Sequence, residues 1–248
     1  MIDPTLFAEV QPLDRVQHRN SRLKAGGVRY DRTAGMNALF ITAVEFGDVC
    51  REYPIVFVEA GTSAQGQREV APMAVLGLQQ GENLMLGTDG AWAARYTPAM
   101  LRGYPFGIAA LSGDSYAVCV DAKAGGLSEG EGERLFDDAG EPTAFLNERR
   151  QFVEEVERET HRTRLLGQRL LELNLLRSMR FDATLPDGNQ LSVDGFLALD
   201  EEKFAALPDA DVLDLHKTGV MALLHAHRLS LGLMRALVER RLARQASA

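Results

Sequence analysis

The sequence predicts an α+β protein, with a mostly antiparallel sheet and short helices in the N-terminal half and a C-terminal helical lobe with one hairpin. Two observations predict this class. Over residues 1–141, short runs of β-branched and aromatic residues alternate with turn residues, as in antiparallel sheets. After Pro142, apolar residues recur at helical spacing over long stretches. A segment of the first half is, in addition, echoed further along the chain.

The echo suggests an internal duplication. The run REYPIVF at 51–57 is followed 51 positions later by RGYPFGI at 102–108, and GENL at 81–84 by GERL at 132–135. Each copy predicts the order helix, Tyr-Pro, strand, loop, strand and Gly-Glu turn. Coincidence stays open, because only six positions are identical. We predict a β-rich lobe over 1–141 that contains this repeat and a helical lobe over 142–248, with one shared core.

Turn and cap residues predict the elements of the first half. Pro12 cannot donate a hydrogen bond within a sheet, so Val10–Leu13 is predicted as an edge strand. Thr42 is a suitable N-cap for a helix over Thr42–Arg51, and Thr97-Pro98 starts a second helix. Asp89-Gly90 favours a hairpin turn. The strands expected in this half are Ile55–Val58, Met73–Leu78, Leu84–Leu86, Phe106–Leu111 and Tyr116–Asp121.

Helical spacing dominates the second half. Apolar residues face away from charged ones over Pro142–Arg177, which predicts one long helix. A hairpin is predicted over Phe181–Leu199, with its turn at Pro186-Asp187-Gly188. A short amphipathic helix over Asp200–Leu207 follows. A last long helix is predicted over Val212–Ala243, and its apolar residues lie nearly all round it, so we expect it at the centre of this lobe.

Charge and composition exclude several functions. The formal net charge is −8, whereas nucleic acids and anionic membranes are bound by clustered basic faces. The longest apolar stretch, Gly219–Val238, is interrupted by histidines and arginines, so we expect a buried helix rather than a membrane span. The N-terminus lacks the pattern of a secretory signal, and the two cysteines suit a reducing compartment. These features predict a soluble, cytoplasmic protein.

No catalytic, metal or cofactor site is predicted. His216, His225 and His227 fall on one predicted helix, but metal-binding pairs on helices sit three or four positions apart, and His225 and His227 are two apart. A buried, hydrogen-bonded histidine at an interface between helices is the preferred interpretation. The glycine-rich segment Gly125–Gly132 is acidic and lacks the Lys-Ser/Thr of a P-loop, so it predicts a flexible surface loop. Residues 112–115 predict a turn rather than a nucleophile site.

The candidate ligand-binding residues lie around the two Tyr-Pro pairs. Arg51 and Arg102, two positions before each pair, would clamp a carboxylate or a sugar acid in bidentate fashion. The only tryptophan, with nearby tyrosines, would line a shallow aromatic site. The alternative is that each arginine caps a helix and each tyrosine packs in the core with its hydroxyl satisfied. The predicted set is Arg51, Tyr53, Trp92, Tyr96, Arg102, Tyr104 and His216.

Blocks distributed over most of the chain resemble the bacterial SapC family, from about Val10 to Leu237. The blocks are YPIVF at 53–57, AVLGL at 74–78 with GENL at 81–84, YTPAMLR at 96–102 with YPF at 104–106, LFDDAGEP at 135–142, LPDG at 185–188 with DGF at 194–196 and LDEE at 199–202, and LHKTG at 215–219 with Ala226-His227 and Ser230-Leu231.

The resemblance implies an accessory role. The family was named for a link to surface-layer protein or its transport, and its biochemical role is not established. Relatives tend to be encoded beside TonB-dependent outer-membrane receptors, cupin-like proteins and flavin-dependent halogenase-like proteins. This setting implies uptake or processing of a carbohydrate or a related ligand. The family supplies no catalytic residues that could be carried over to this chain.

Three functions are open at this point. The first is a non-catalytic binding or accessory protein that acts with a partner enzyme or an uptake component in the cytoplasm, either as a monomer or as a homodimer. The second is an enzyme for a small organic or sugar substrate, with Arg51, Tyr53, Arg102, Tyr104 and His216 as candidates in a concave pocket. The third, a structural surface-layer component, would require export.

Overall fold

A computed structural model of the chain describes residues 2–24, 26–63, 66–87, 89–110 and 116–246. Its strands are β1 (Val10–Pro12), β2 (Arg22–Leu23), β3 (Ala38–Phe40), β4 (Ile55–Thr62), β5 (Arg68–Val75), β6 (Phe106–Ala110), β7 (Tyr116–Asp121), β8 (Leu127–Ser128), β9 (Glu133–Arg134), β10 (Leu176–Thr184) and β11 (Gln190–Leu199).

The helices are α1 (Phe46–Val49), α2 (Ala99–Gly103), α3 (Ala144–Glu172), α4 (Glu201–Ala205), α5 (Asp209–Lys217), α6 (Val220–Ser230) and α7 (Met234–Ala246). Short 3-10 turns occupy Asp31–Gly35, Ala43–Glu45 and Leu231–Leu233. Antiparallel sheets precede a mainly helical region that contains one hairpin, β10–β11. The predicted α+β class is confirmed.

The chain forms two compact units, each assembled from separate segments. The first contains Met1–Ala34, Leu86–Ala93 and Ala99–Glu159, and the second contains Gly35–Met85, Ala94–Pro98 and Thr160–Ala248. Helix α3 supplies residues to both. The division into lobes 1–141 and 142–248, and the core that they were expected to share, stay predictions.

The first unit contains a sheet of order β1-β7-β6. Strand β1 lies at its edge, as the proline at position 12 predicts, and Pro12 pairs in register with Cys119. The long helix α3 packs on this sheet through Leu146 and Val153. The buried cluster formed in this way comprises Leu23, Phe106, Ile108, Val120, Leu135, Phe136, Leu146 and Val153.

A second, very short sheet of the first unit has the order β8-β2-β9. Strand β8 lies inside the glycine-rich segment Gly125–Gly132, which was predicted as a loop throughout. A Cβ added at Gly132 would lie 2.4 Å from the main-chain carbon of Leu23, and Gly132 has a φ of +113°. This glycine therefore permits a close approach of two main chains, and the expectation of a loop over the whole segment is corrected.

The second unit contains a five-stranded sheet of order β10-β11-β4-β5-β3. Its core is aromatic: Tyr53, Phe46 and Phe57 are fully buried. Helix α3 approaches strand β5 closely at Gly167, where an added Cβ would lie 2.5 Å from the carbonyl oxygen of Val70. Only a glycine fits this position without displacing the helix or the strand.

Several predicted elements differ from the structure. The helix expected over Pro142–Arg177 ends at Glu172, because Asn174 adopts left-handed backbone with a φ of +52°, and Leu176 and Arg177 belong to β10. The helix expected over Val212–Ala243 is divided among α5, α6 and α7, because Gly219 adopts left-handed backbone with a φ of +78° and ends the first segment. The strand expected over Leu84–Leu86 is reduced to one bridge between Leu86 and Trp92. The turn expected at residues 112–115 lies outside the described residues.

Candidate functional site

Two of the predicted site residues, Tyr53 and Tyr96, meet in the second unit. The Tyr53 hydroxyl donates to the main-chain oxygen of Tyr96, and the ring of Tyr53 is fully buried. The Tyr96 hydroxyl donates to Glu45 Oε1 at 3.0 Å, and its main-chain N–H donates to Glu52 Oε2 at 3.1 Å. The Glu45 carboxylate also accepts from the N–H of Thr42 and so completes a capping box on the 3-10 turn Ala43–Glu45. These contacts fix a loop in place and leave both hydroxyls occupied.

Tyr104 lies in the first unit and has a charged partner. Its hydroxyl donates to Asp121 Oδ2 at 2.9 Å. Main-chain N–H groups of Ala8, Glu9 and Lys123 donate to the same carboxylate at 2.8–3.1 Å. Burial disfavours the charged form of Asp121, but these hydrogen bonds outweigh burial and lower its pKa. Burial, together with the bond to Asp121, raises the pKa of Tyr104.

The remaining predicted residues make local contacts. Trp92 packs edge-to-face on Tyr30, with ring centroids 5.9 Å apart. The Arg102 guanidinium lies over the Phe152 ring, 5.1 Å from its centroid. Arg51 is exposed and lies 3.7 Å from Asp48, and His216 is exposed on α5. The ligand-binding role of the predicted set stays a prediction.

His227 is the most enclosed histidine of the described chain. Its Nδ1 donates to the carbonyl oxygen of Ile55 at 2.8 Å, and its Nε2 accepts from the N–H of Leu199 at 3.1 Å. Ser230 Oγ accepts from the N–H of Ile55 at 2.8 Å. Burial lowers the pKa of His227 to about 4, so the ring is neutral at physiological pH. His227 is buried and hydrogen-bonded as the sequence predicts, but its hydrogen bonds go to strands β4 and β11 rather than to a neighbouring helix.

The buried ionisable groups described above are thus saturated by the protein's own hydrogen bonds. Asp121 accepts four hydrogen bonds, and both nitrogens of His227 are engaged. A group in this state holds structure together, because exchanging a proton with a ligand would require breaking those bonds first. Asp121 and His227 are therefore not available to a ligand in this structure.

A groove of about 510 Å³ opens on the surface of the first unit. This volume falls within the usual range for small-molecule sites. Four segments line it: residues 13–15 after β1, residues 116–118 of β7, the turn at 136–142, and one face of α3. None of the seven residues predicted from the sequence lines this groove.

Local sequence shapes each wall of the groove. The N–H of Leu13 donates to the carbonyl oxygen of Val118 at 2.9 Å and continues the pairing of β1 with β7. Asp14 closes a turn, because its Oδ1 accepts from the N–H groups two and three residues further along the chain. Phe136 and Pro142 form a bridge around a turn in which Asp137 Oδ1 accepts two N–H groups at 2.9 Å.

The fourth wall is a stripe on α3 formed by Leu146, Arg150 and Glu154. These residues are four apart, so they lie one above the other on the same helix face. Leu146 is fully buried and belongs to the core below the groove. Arg150 and Glu154 extend the same stripe as half-buried charged residues.

Charged side chains of both signs lie around an apolar floor. Within the described residues, Arg15, Glu141, Arg150 and Glu154 make no side-chain hydrogen bond or ion pair. Asp14 differs, because its carboxylate is engaged in its own turn. The floor is formed by Leu13, Val118, Phe136 and Leu146. The Tyr116 side chain is 65% exposed at the rim. Such a groove can hold a ligand by apolar contact and by charge-assisted hydrogen bonds.

Sequence reasoning missed this groove, although two signals for it were present. The block LFDDAGEP at 135–142 was singled out, and it supplies the turn that forms one wall. The four-residue spacing of Leu146, Arg150 and Glu154 could be read on the predicted helix. The sequence could not show that this turn and this helix face both lie beside β7.

An α+β protein with a mixed-charge surface groove is the class defined by this fold and site. A family model described as SapC matches residues 13–237 of the 248 residues, so the chain belongs to the SapC family. No curated protein and no solved structure matches the chain. In the described ranges, no helix has the length and apolar content needed to cross a bilayer. Nor do those residues contain a group of three or more His, Cys, Asp or Glu arranged for a metal ion.

Proposed function

We propose that this chain is a non-catalytic binding protein that acts as an accessory to a partner enzyme or to an uptake component, in a system for a carbohydrate or a related nutrient. The ligand would lie in the groove of the first unit. The protein would act in the cytoplasm of a bacterium, as a monomer or as a homodimer. Export as a surface-layer component is the weaker alternative, and subcellular fractionation distinguishes the two.

One observation supports binding: the groove has a volume suited to a small ligand, an apolar floor and unpaired charged groups at its rim. The buried Asp121 and His227, by contrast, are saturated by hydrogen bonds within the protein. A binding site needs exposed partners for a ligand, whereas catalysis also needs a group that can transfer protons or electrons in place.

A thermal-shift screen tests the proposal, because a ligand that binds only the folded protein raises its unfolding temperature. Sugars, sugar acids, amino acids, flavin and metal ions are the compounds to screen. The substitution Ala117→Trp would fill the groove from β7 and is expected to abolish the shift. Ala183→Trp on β10, a half-buried alanine of a strand outside the groove, is the matched control. A ligand whose shift survives Ala117→Trp would bind elsewhere.

The accessory role has a separate test. Co-purification of the chain with enzymes and uptake components encoded beside it should be stronger, or weaker, when the screened ligand is present. An interaction that never responds to a ligand, or the absence of any partner, would contradict cooperation. Size measurement in solution at several concentrations decides between monomer and homodimer.

An enzyme that acts on a small organic or sugar substrate is the second candidate. The observation that favours it is that two unpaired carboxylates, Glu141 and Glu154, line the same groove as two guanidiniums. Two carboxylates that face the same substrate can serve as general acid and general base. Incubation with each ligand from the screen, followed by NMR, would reveal a product. Loss of the product, but not of binding, in Glu154→Gln would establish catalysis and overturn the binding-only proposal.

A further inference from the structure

We infer that the groove takes a zwitterionic ligand with an apolar body, of the α-amino-acid or short-peptide class. This inference rests on the proposed binding function, and it assigns an amino acid or a peptide, rather than a sugar, as the ligand. It is carried by three features of the groove: two available cations, two available carboxylates and an apolar floor between them.

The cations suit a carboxylate. Arg15 comes from the loop after β1 and Arg150 from α3, so two separate elements each present a guanidinium at the groove. Neither makes a hydrogen bond or an ion pair within the described chain. A guanidinium matches the planar, two-oxygen geometry of a carboxylate better than it matches a hydroxyl group.

The carboxylates suit an ammonium group. Glu154 lies one helical turn after Arg150 on the same stripe of α3, with about 5–6 Å between Cβ atoms at this spacing. An arginine that precedes a glutamate by four positions pairs with it less well than the reverse order, and these two are not paired in the structure. Glu141 supplies a further carboxylate from the turn that forms the neighbouring wall.

The balance of charge favours a ligand that carries both charges. Among the described residues, two arginines and three acidic residues line the groove, and one of the acids, Asp14, is engaged in its own turn. A purely anionic ligand would lie against the glutamates, and a purely cationic one would lie against the arginines. An uncharged ligand could hydrogen-bond to these four charged side chains but would supply no counter-charge to any of them. A ligand with both charges compensates groups of both signs.

The floor selects the part of the ligand between the charges. Leu146 and Phe136 are buried, and the half-buried Leu13 and Val118 pack against them. Covering these half-buried side chains with an apolar group removes further apolar surface from water. An aliphatic amino-acid side chain fits this surface, and the groove volume of about 510 Å³ leaves room for more than one residue.

Calorimetric titration of the native protein tests the inference with five probes: leucine, leucinamide, N-acetylleucine, leucyl-leucine and glucose. Leucinamide lacks the carboxylate, and N-acetylleucine lacks the ammonium group. Leucine or leucyl-leucine should bind, and each derivative should bind about tenfold more weakly, since it loses a charge-assisted hydrogen bond. The tighter of leucine and leucyl-leucine identifies a free amino acid or a peptide as the source of this chemistry.

Several results would overturn the inference. N-acetylleucine or leucinamide binding as tightly as leucine would remove the need for one of the charges. Binding of glucose without leucine would end the zwitterion assignment yet support the proposed binding function. No binding of any probe would also end it, and the wider thermal-shift screen would then decide the binding function by itself.

Variants locate the binding in the groove. Arg150→Ala should weaken leucine binding about tenfold, the order expected for a lost charged partner. Arg164→Ala is the matched control, because Arg164 lies on the same helix, is exposed and does not line the groove. Circular dichroism of both variants checks the fold. Unchanged affinity in a folded Arg150→Ala protein would place the ligand elsewhere and overturn the assignment.

Discussion

The two hairpins that follow a Tyr-Pro pair, β4–β5 in the second unit and β6–β7 in the first, have the same core arrangement. In each, a preceding short strand pairs with the second strand of the hairpin, giving β3-β5-β4 and β1-β7-β6. In each, a residue of the second strand donates its N–H to the carbonyl oxygen of the proline, Val75 to Pro54 and Asp121 to Pro105, both at 2.9 Å. The duplication itself stays a prediction.

The hairpins differ in what surrounds them. Strand β4 pairs on its outer side with β11, and His227 and Ser230 bind both main-chain groups of Ile55. Strand β6 ends its sheet, and the groove lies beside the other strand of that hairpin, β7. The local sequence therefore determines the hairpin, whereas distant segments determine whether buried core or an open groove lies beside it.

The largest expected effect on stability is at the hairpin β4–β5, which His227 contacts. His227→Leu removes the partners of two buried main-chain groups, the oxygen of Ile55 and the N–H of Leu199, so we expect a loss of about 3 kcal/mol in unfolding free energy. Urea denaturation measures it. The exposed neighbour gives the control, since His225→Leu should change stability by less than about 0.5 kcal/mol. Equal stability of the two variants would show that His227 does not support β4.

The same residue predicts a dependence on pH. Its pKa is about 4 in the folded protein and near 6.5 in an unfolded chain, so the unfolded chain takes up a proton at higher pH. The contribution is therefore complete above about pH 6.5 and is lost as the pH falls toward 4, by at most about 3 kcal/mol. Unfolding free energies between pH 7.5 and 4.5 should fall more steeply for the native protein than for His227→Leu. The same slope with pH in both proteins would contradict a contribution from His227.

The tyrosines of the two Tyr-Pro pairs allow a direct comparison of the two hairpins. Tyr104→Phe removes a donor to the Asp121 carboxylate, and we expect a loss of about 2 kcal/mol, whereas Tyr53→Phe removes a donor to a neutral oxygen and should cost about 1 kcal/mol. Denaturant midpoints of the two variants give the order. Tyr116→Phe is the control, because its exposed hydroxyl has no partner among the described residues. A larger effect at Tyr53 would reverse the ranking.

The smallest effects concern the repeated arginines. Arg102→Ala should cost about 0.5–1 kcal/mol, because the guanidinium lies over the Phe152 ring. Arg51→Ala should produce no measurable change, because its pair with Asp48 is exposed and 3.7 Å long. Thermal unfolding compares them. Equal losses would mean that the two copies use their arginines in the same way.

Local signals predicted much of the fold. Each Tyr-Pro pair precedes a strand, Tyr116–Asp121 is a strand, and Pro186-Asp187-Gly188 turns a hairpin. These signals are local, because proline fixes its own φ and glycine accepts the positive φ that such turns require. The break at Gly219 was missed, since an isolated glycine within an apolar helical pattern is compatible with a continuous helix. Hydrophobic spacing cannot distinguish one helix from consecutive shorter ones.

The groove was not predictable in the same way. Its charged residues Arg15, Glu141, Arg150 and Glu154 come from three segments of the chain, and each residue alone is typical of a solvated surface. The predicted ligand-binding site was placed at the aromatic residues around the two Tyr-Pro pairs instead. Tyr53 and Tyr104 lie in the core with satisfied hydroxyls, which is how buried tyrosines usually stabilise a fold. Pairing of strands, not composition, decides which side chains meet.

Asp121 has a consequence for handling the protein. Two of its four hydrogen bonds come from the main-chain N–H groups of Ala8 and Glu9. The segment around these two residues therefore stabilises the hairpin β6–β7. Trimming the chain beyond Glu9, or nicking it there with a protease, would strand a negative charge in the interior with half of its donors gone. Affinity tags are safer ahead of Asp3 than as replacements for this segment.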